Sequence, residues 1–379
     1  MSRDGRRSTA VSLGNVLPAS AAALGLPGAG ALRLQIPPAR AVVVLLVDGL
    51  GDRLLAERGG HSPFLRGLRA DQPDGVAVAG FPSTTATSMG TLGTGLPPGA
   101  HGLVGLDVLD PERDQLFSEL AWDPLVDPHR WQPEPTVFER VAAAGVDVVR
   151  IGPHYFDGSG LTEAALRGGR FVAADTLQDR VEAAAAAAAQ GTGRALVYVY
   201  WGEVDKVGHV HGCRSWQWAE ELGGVDAMAQ RLAESLPSDT VLVVTADHGM
   251  VDVPMTQRLD LAHEADLAAG VRHTGGEPRA LHLYCRPGAG PEVLAAWRER
   301  LGASMEILPR EEAVRAGWFG PVSPRVLPRI GDVVVSAISD VAVVDSRTAR
   351  PETLRLLGLH GARTADEQLV PLLVTPGAR

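Results

Sequence analysis

Three apolar segments constrain the fold most strongly, because each is short, almost free of charge and followed by acidic side chains. Residues 41–47 read Ala-Val-Val-Val-Leu-Leu-Val and are followed directly by Asp48. Residues 194–200 and 240–245 have the same character. Continuous apolar runs of this length are typical of central parallel strands that are buried on both faces. Asp48 is therefore expected at the carboxyl end of a strand, where open α/β sheets bind their ligands.

Helical patterns separate these strands along the chain. The strongest covers residues 177–189, which contain a run of alanines, and a long amphipathic pattern covers residues 216–236. Alternating strands and helices predict an α/β fold with a mostly parallel central sheet and helices on both faces. The other elements predicted for this layer are helices at 53–70 and 136–144 and strands at 75–79, 146–151 and 369–374.

Residues 255–345 depart from this regular alternation. Their elements are shorter, and Pro/Gly clusters at 287–291 and 320–324 suit loops. We therefore predict a small α+β cap inserted into a catalytic core that consists of residues 1–254 and 346–379. Within the cap we expect strands at 280–285, 305–308 and 331–336 and helices at 292–301 and 311–316.

Composition argues against several classes of protein. The 379 residues include 35 Lys and Arg against 45 Asp and Glu, a formal net charge of −10. An acidic chain without a basic, aromatic-rich stretch is not expected to carry a nucleic-acid-binding module. Two cysteines, Cys213 and Cys285, cannot form a disulfide framework, so we expect a reducing, cytoplasmic location. No apolar run approaches the length of a membrane span, and residues 16–26 favour a short surface helix over a signal peptide.

A hydroxyl-rich segment, Phe81-Pro-Ser-Thr-Thr-Ala-Thr-Ser-Met-Gly-Thr-Leu-Gly-Thr-Gly95, is the first candidate for chemistry. The residues after Thr85 are small or compatible with a helix, so a helix is expected to begin near Thr84 or Thr85. A hydroxyl there lies among free backbone N–H groups and the positive end of the helix dipole, which favour an anion. Such a hydroxyl either caps the helix or attacks phosphorus, and this segment alone leaves both roles open.

Acidic residues and histidines near three predicted strand ends are the second candidate. Asp205 and His209 are four residues apart, which places both on one face of a helix. Taken singly, each residue has an ordinary explanation as a turn residue or a surface pair. Because parallel strands end at one edge and carboxylates and imidazoles are zinc-type ligands, the set predicts a dinuclear metal site. Its members are Asp48, Asp205, His209, Asp247, His248 and His360.

The order of these motifs resembles the alkaline phosphatase superfamily and is most similar to its nucleotide pyrophosphatase/phosphodiesterase branch. The most specific elements are Asp205-Lys-Val-Gly-His209 and Asp247-His-Gly-Met250. The accompanying elements are Val47-Asp-Gly49, Pro82-Ser-Thr-Thr85, Thr94-Gly-Leu-Pro-Pro-Gly-Ala-His-Gly102 and His360-Gly361. They extend over nearly the whole chain, so the resemblance implies an alkaline phosphatase-like α/β fold for the core.

The same resemblance implies two divalent ions, with zinc as the expected metal and manganese as the alternative. It also selects Thr85 over Thr84 and Thr87 as the nucleophile, by its position relative to Thr94 in the Thr-Gly-Leu motif. One ion would be bound by Asp48, Thr85, Asp247 and His248. The other would be bound by Asp205, His209 and His360.

One position departs from the family pattern. The asparagine that stabilises the phosphoryl group in the family corresponds to Leu106 in this sequence. This departure leaves the preference between diester and monoester substrates open.

The sequence therefore predicts a metal-dependent hydrolase of phosphate esters, in the first place a phosphodiesterase or nucleotide pyrophosphatase that forms a phospho-threonine. Its expected partner is a small-molecule phosphate ester or a nucleotide. A phosphomonoesterase or phosphonate hydrolase on the same site is the alternative, with Arg53, Arg272 or Arg279 as a positive group. We take Arg279 as the candidate contact to a substrate anion. A catalytically inactive metal-binding relative is disfavoured, because a structural metal site needs no nucleophile.

Overall fold

A computed structural model of the chain describes residues 11–27 and 34–378. Within these ranges the chain forms an eight-stranded sheet, a six-stranded sheet and two short two-stranded pairs, with helices packed around them. The strands are β1 Val11–Ser12, β2 Ala41–Val47, β3 Val76–Val78, β4 Asp107–Asp110, β5 Gln115–Ser118, β6 Asp147–Gly152, β7 Arg170–Ala173, β8 Ala195–Trp201, β9 Thr240–Thr245, β10 Val251–Asp252, β11 Arg258–Asp260, β12 Val271–Glu277, β13 Ala280–Cys285, β14 Met305–Pro309, β15 Val333–Ala337, β16 Ala342–Val344, β17 Gly358–Leu359 and β18 Leu369–Pro376.

The helices vary from single turns to twenty residues. They are α1 Val16–Ala23, α2 Asp52–Glu57, α3 Pro63–Asp71, α4 Thr85–Thr94, α5 Pro98–His101, α6 Pro128–Trp131, α7 Val137–Ala143, α8 Gly160–Ala165, α9 Leu177–Ala189, α10 Glu203–His211, α11 Trp216–Ser235, α12 Ala265–Ala268, α13 Gly290–Leu301, α14 Arg310–Arg315 and α15 Ala365–Gln368.

The eight-stranded sheet has the order β1-β3-β18-β9-β2-β8-β6-β7. Its centre is β2, which pairs in parallel with β8 on one side and β9 on the other. The strand β18 is antiparallel to both of its neighbours, and the other pairings are parallel. All seven residues of β2 are buried, as expected for an apolar strand that is covered on both faces. The predicted fold class, an α/β fold with a mostly parallel central sheet, is confirmed.

The six-stranded sheet is antiparallel and has the order β14-β15-β13-β12-β4-β5. Four of its strands come from the segment predicted as a cap, and β4 and β5 come from earlier in the chain. The two parts join where Gly276 of β12 pairs with Asp107 of β4. The separation into a core and a cap stays a prediction, but the second sheet extends beyond residues 255–345.

Two predicted helices differ from the structure. The helix expected at 53–70 is two helices, α2 and α3, separated by a turn that contains Gly59 and Gly60, and Pro63 begins the second helix. Glycine and proline both disfavour a continuous helix at this point. The helix expected on the surface at 16–26 is α1, and several of its side chains are buried in the main hydrophobic cluster. Among the described helices, none combines the length and the apolar character that crossing a membrane requires.

Candidate dinuclear metal site

Two clusters of acidic residues and histidines lie at the carboxyl edge of the eight-stranded sheet. In each cluster the ligand atoms are within 4.8 Å of one another. The first cluster contains Asp48, Asp247 and His248, and the second contains Asp205, His209 and His360. The structure therefore brings together the six acidic residues and histidines that the sequence singled out, in the two groups that the family resemblance implies.

The first cluster follows directly from two neighbouring strands. Asp48 is the residue after β2, and Asp247 and His248 come two and three residues after β9. The Nε2 atom of His248 lies 3.3 Å from Oδ1 of Asp48 and 3.5 Å from Oδ2 of Asp247. One oxygen of Asp247 is fixed by the backbone N–H groups of Gly49 and His248, at 3.1 and 3.0 Å. The hydroxyl of Tyr200 donates to Oδ2 of Asp48.

The second cluster combines a helix with a distant segment of chain. Asp205 and His209 lie one turn apart on α10, and Nε2 of His209 is 3.3 Å from Oδ2 of Asp205. His360 follows β17, and its Nε2 atom is 3.9 Å from Oδ1 of Asp205. The rings of His360 and His248 stack with centroids 3.8 Å apart. The two clusters are therefore in direct contact, as a dinuclear site requires.

The three imidazoles share one orientation, which leaves Nε2 facing the carboxylates. Each Nδ1 atom lies close to a backbone carbonyl: His209 to Gly358 at 2.7 Å, His248 to Gly249 at 3.1 Å and His360 to Ser83 at 2.9 Å. If Nδ1 donates in each case, Nε2 carries a lone pair directed towards carboxylate oxygens. Two sets of lone pairs that face each other need a cation between them, so this orientation fits metal ligands held by hydrogen bonds to carbonyl groups.

Unpartnered carboxylate oxygens give a second test of whether metal ions fit the site. Buried polar atoms normally have hydrogen-bond partners. Among the described residues, four buried carboxylate oxygens have none: Oδ1 of Asp48, Oδ1 of Asp205, Oδ2 of Asp247 and Oε1 of Glu277. Three of the four belong to the two clusters, and Glu277 lies beside His360. The donor set of carboxylate oxygens and imidazole nitrogens suits zinc-type ions.

The pKa values of these acids reflect their concentration in one buried place. Burial, together with the neighbouring charges of Asp247 and Asp205, raises the pKa of Asp48 well above its usual value. Burial and the charge of Asp205 raise the pKa of Asp247 to about 7. For Asp205, burial favours the neutral form, but the charge and hydrogen bond of His209 outweigh it and lower the pKa. Bound cations would offset both the burial and the repulsion between these acids, and would thereby favour their ionised forms.

Thr85 is the first residue of α4, and Thr84 is its N-cap residue without a side-chain capping hydrogen bond. The Thr85 hydroxyl oxygen lies 3.2 Å from Nε2 of His248, at the first cluster. Ser88, one turn later, donates to the backbone carbonyl of Asp247 and ties α4 to the strand end. The structure thus places the Thr85 hydroxyl beside candidate metal ligands and at the N-terminal end of a ten-residue helix.

Arg279 has a different environment from the one predicted. Its guanidinium forms a bidentate ion pair with Glu367, with both distances 2.8 Å, and donates to the carbonyls of Ser339 and Val341. The side chains of both members of the pair are completely buried. These contacts correct the predicted role of Arg279 as a substrate contact, because its donors are used within the protein. Arg53 and Arg272 also pair with acids, Asp366 and Asp114.

Leu106 is half-buried and lies in a bend directly before β4. Its carbonyl oxygen accepts a hydrogen bond from the backbone N–H of Glu119 at 2.7 Å. It belongs to none of the hydrophobic clusters formed by the described residues. Position 106 is therefore not part of the hydrophobic core, and burial does not explain why it carries leucine where the family has asparagine.

Sequence reasoning missed two polar residues of this site, Tyr200 and Glu277. Tyr200 is on β8, where its aromatic ring fits the pattern of an ordinary strand residue. Glu277 ends β12 and reaches His360, which is 83 residues later in the sequence, with Oε2 3.3 Å from Nδ1. The position of Asp48 at a predicted strand end could have directed a search for a hydroxyl donor on a neighbouring strand, such as Tyr200. No local sequence pattern links Glu277 with His360.

Comparison with known proteins decides the family. The sequence matches the type I phosphodiesterase / nucleotide pyrophosphatase family over residues 42–363. The chain belongs to this family. This assignment confirms the resemblance inferred from the motifs, and the match includes both candidate metal-ligand clusters and Thr85.

A relative and several solved structures are similar to this family member. Ectonucleotide pyrophosphatase/phosphodiesterase 1 of Saccharomyces cerevisiae is 26% identical over 266 residues, which cover 56% of this chain and 34% of the relative. The match thus spans about a third of that protein's length. An inactive form of murine ectonucleotide pyrophosphatase/phosphodiesterase 5 in complex with AMP has a TM-score of 0.70 at 20% identity, covering 89% of this chain and 88% of that one.

Phosphonoacetate hydrolase from Sinorhizobium meliloti 1021, in complex with phosphonoformate, is also similar. Its TM-score is 0.66 at 20% identity, and the alignment covers 90% of this chain and 91% of that one. At this level of identity the likeness shows a shared fold, because one fold supports many different activities. The substrate of this family member has to be argued from its own site.

Proposed function

We propose that this protein is a metal-dependent hydrolase of phosphate esters, and specifically a phosphodiesterase or nucleotide pyrophosphatase that uses two zinc-type ions. The observation that carries the proposal is the orientation of the three histidines. Their Nε2 atoms face carboxylate oxygens, and three of these oxygens have no hydrogen-bond partner. One ion would be held by Asp48, Thr85, Asp247 and His248, and the other by Asp205, His209 and His360.

Two divalent ions in these positions would lower the pKa of the Thr85 hydroxyl and neutralise charge on the attacking and leaving oxygens. Thr85 is the nucleophile: its Oγ1 atom forms a bond to phosphorus while the bond from phosphorus to the leaving oxygen breaks. The product of this step is a phospho-threonine, which water then hydrolyses to release phosphate or a phosphomonoester. Free N–H groups in the first turn of α4 stabilise the negative phosphoryl oxygens.

We infer a preference for diesters and pyrophosphates over monoesters from the partners of three arginines. A monoester carries more negative charge at the reacting phosphoryl group, so it needs an additional positive side chain. Arg53, Arg272 and Arg279, which the sequence offered for this purpose, each pair with an acidic residue. We therefore place diester and nucleotide substrates first. The cytoplasmic location that we predicted from the two cysteines stays a prediction.

The proposal is tested by metal analysis together with a substrate panel. Purified protein should bind two transition-metal ions per chain, and chelation should abolish hydrolysis, which zinc or manganese restores. The panel contains bis-p-nitrophenyl phosphate, p-nitrophenyl phosphate, a nucleotide p-nitrophenyl ester and phosphonoacetate, and we expect the two diesters to be the best substrates. The variant Asp247→Ala should lose metal and activity together. Full hydrolytic activity in metal-free protein would contradict the proposed function.

A further inference from the structure

A hairpin of the second sheet holds the segment that carries His360. The strand β12 ends at Glu277, which pairs with Ala280 at the start of β13. On one side of this turn, Arg279 pairs with Glu367, which also accepts a hydrogen bond from the backbone N–H of Ala362 at 2.9 Å. On the other side, Glu277 reaches His360 itself. The turn therefore contacts the His360 segment at two separate points.

Glu277 is packed tightly beside His360. Its side chain is 3% exposed, and Oε2 lies 3.3 Å from Nδ1 of His360. Next to His360 in the chain, Gly361 has a φ of +123°. A Cβ atom at position 361 would lie 2.7 Å from both Cγ and Cδ of Glu277. The absence of a side chain at Gly361 thus allows the glutamate stem to lie directly against the backbone that positions the imidazole.

The charge of Glu277 has no protein counterpart close to it. Glu277 has a side-chain hydrogen bond with Thr84 but no cationic partner, whereas the buried acids Glu367 and Asp52 pair with Arg279 and Arg69. Oε1 of Glu277 has no hydrogen-bond partner, a property shared with one oxygen each of Asp48, Asp205 and Asp247. Burying an unpaired carboxylate is costly, so these four carboxyl groups can all be ionised only with positive charge in the same place. Two divalent ions among neutral imidazoles would balance four carboxylates.

We propose that Glu277 is a positioning residue for the metal ion bound by Asp205, His209 and His360. Its carboxylate holds the His360 ring from the Nδ1 side, where Ser83 accepts the ring proton, and supplies the fourth negative charge of the site. Carboxylates behind ligating histidines orient the ring and strengthen metal binding. Through the Glu277–Ala280 turn, the six-stranded sheet would thus affect how tightly the ion at the edge of the eight-stranded sheet is bound. This inference rests on the proposed two-metal function.

The test is a metal titration of chelator-treated protein with zinc, in competition with a chromophoric chelator, for the parent chain and Glu277→Gln. The parent should bind two ions. The variant should keep one ion at parental affinity and bind the other at least about tenfold more weakly. The metal-free form of the variant should melt at the same temperature as the metal-free parent, because the amide has nearly the same size and shape as the carboxyl group that it replaces.

A matched control is Glu306→Gln, which removes a carboxylate from β14 of the same sheet. Glu306 pairs with Arg363 at 3.0 Å, so both ions should bind this variant as they bind the parent. Equal affinities of both ions in the parent and in Glu277→Gln would overturn the role of Glu277. A lower melting temperature of the metal-free variant with both ions weakened would show a role in folding instead. A parent chain that binds no ions would contradict the proposed function itself.

Discussion

Thr85 begins α4 with its hydroxyl oxygen 3.2 Å from Nε2 of His248. The variant Thr85→Ala should lower kcat by about four orders of magnitude or more, because it removes the atom that attacks phosphorus. Thr85→Ser keeps the hydroxyl and should retain part of the activity. Steady-state kinetics on the best diester, with metal content measured in parallel, check both expectations. Nearly parental turnover in Thr85→Ala would exclude this residue as the nucleophile.

The chain offers a matched control two residues later. Thr87 is also buried in α4, and its hydroxyl has no hydrogen-bond partner in the structure. Thr87→Val replaces this hydroxyl by a methyl group of similar size, so activity should stay close to that of the parent. The free energy of unfolding should be unchanged or higher, since an unpaired polar group has left the interior. Loss of turnover in Thr87→Val alone would show that the nucleophile is Thr87.

Arg279 and Glu367 form a completely buried pair, so removing one partner leaves an uncompensated charge. Arg279→Met should lower the free energy of unfolding by about 3–5 kcal/mol, measured by urea denaturation. The double variant Arg279→Met/Glu367→Gln should recover part of this loss, because the second charge is also removed. KM of the folded enzyme should change little. A large increase in KM without loss of stability would instead indicate contact with the substrate.

At the level of elements, the sequence predicts best where burial makes the pattern simple. The bounds of β9 and β13, Thr240–Thr245 and Ala280–Cys285, are those predicted, because both strands are buried along their whole length. Asp48, Asp247 and His248 could be found because parallel strands bring their carboxyl ends to one edge, and Asp205 and His209 because they are one helical turn apart. Local sequence patterns are therefore sufficient to predict the central strands of the main sheet and the acidic residues and histidines near their ends.

Other elements depend on contacts between distant parts of the chain. The strands β4 and β5 are four residues each and contain polar side chains, and β4 is joined to the second sheet through Gly276 of β12. No periodicity within residues 107–118 could show that pairing. Glu277 and Arg279 raise the same difficulty, since their partners, His360 and Glu367, lie more than eighty residues away. Their roles follow from the three-dimensional arrangement.

Gly49, in the turn after β2, is the basis of a further prediction. Gly49 has a φ of +74°, and a Cβ atom there would lie 3.0 Å from the Cα and Cβ atoms of Asp205. Gly49→Ala should therefore combine backbone strain of about 1 kcal/mol with displacement of Asp205. We expect lower stability and weaker binding of one metal ion, measured by urea denaturation and metal titration.

Gly145 separates these two effects. Its φ is +79°, and no atom lies within 4 Å of the position of a Cβ atom. Gly145→Ala should carry the same backbone strain while metal binding stays unchanged. If Gly49→Ala and Gly145→Ala both lost only stability, the close approach of Gly49 to Asp205 would have no part in forming the metal site.

For the whole molecule, we predict how the free energy of unfolding depends on pH from two buried histidines outside the candidate metal site, His101 and His282. Nδ1 of His101 accepts the backbone N–H of Leu103 at 3.1 Å, and Nδ1 of His282 accepts that of Gly331 at 3.0 Å. A proton on either Nδ1 would replace an acceptor by a second donor. Burial lowers the pKa of His101 to about 3, with help from two nearby arginines, and lowers the pKa of His282 to about 4.

Each of these histidines is neutral in the folded protein and takes up a proton when the chain unfolds below pH 6.5. The unfolded state then binds more protons, so the free energy of unfolding falls as pH decreases from about 6.5 towards 4. The expected slope is about 1.4 kcal/mol per pH unit for each histidine. Urea denaturation of the parent and of His282→Gln between pH 7 and 4.5 measures it. The ligands of the metal site titrate in the same way in both proteins, so the difference between the two curves isolates His282. Parallel curves would show that His282 does not contribute to the loss of stability in acid.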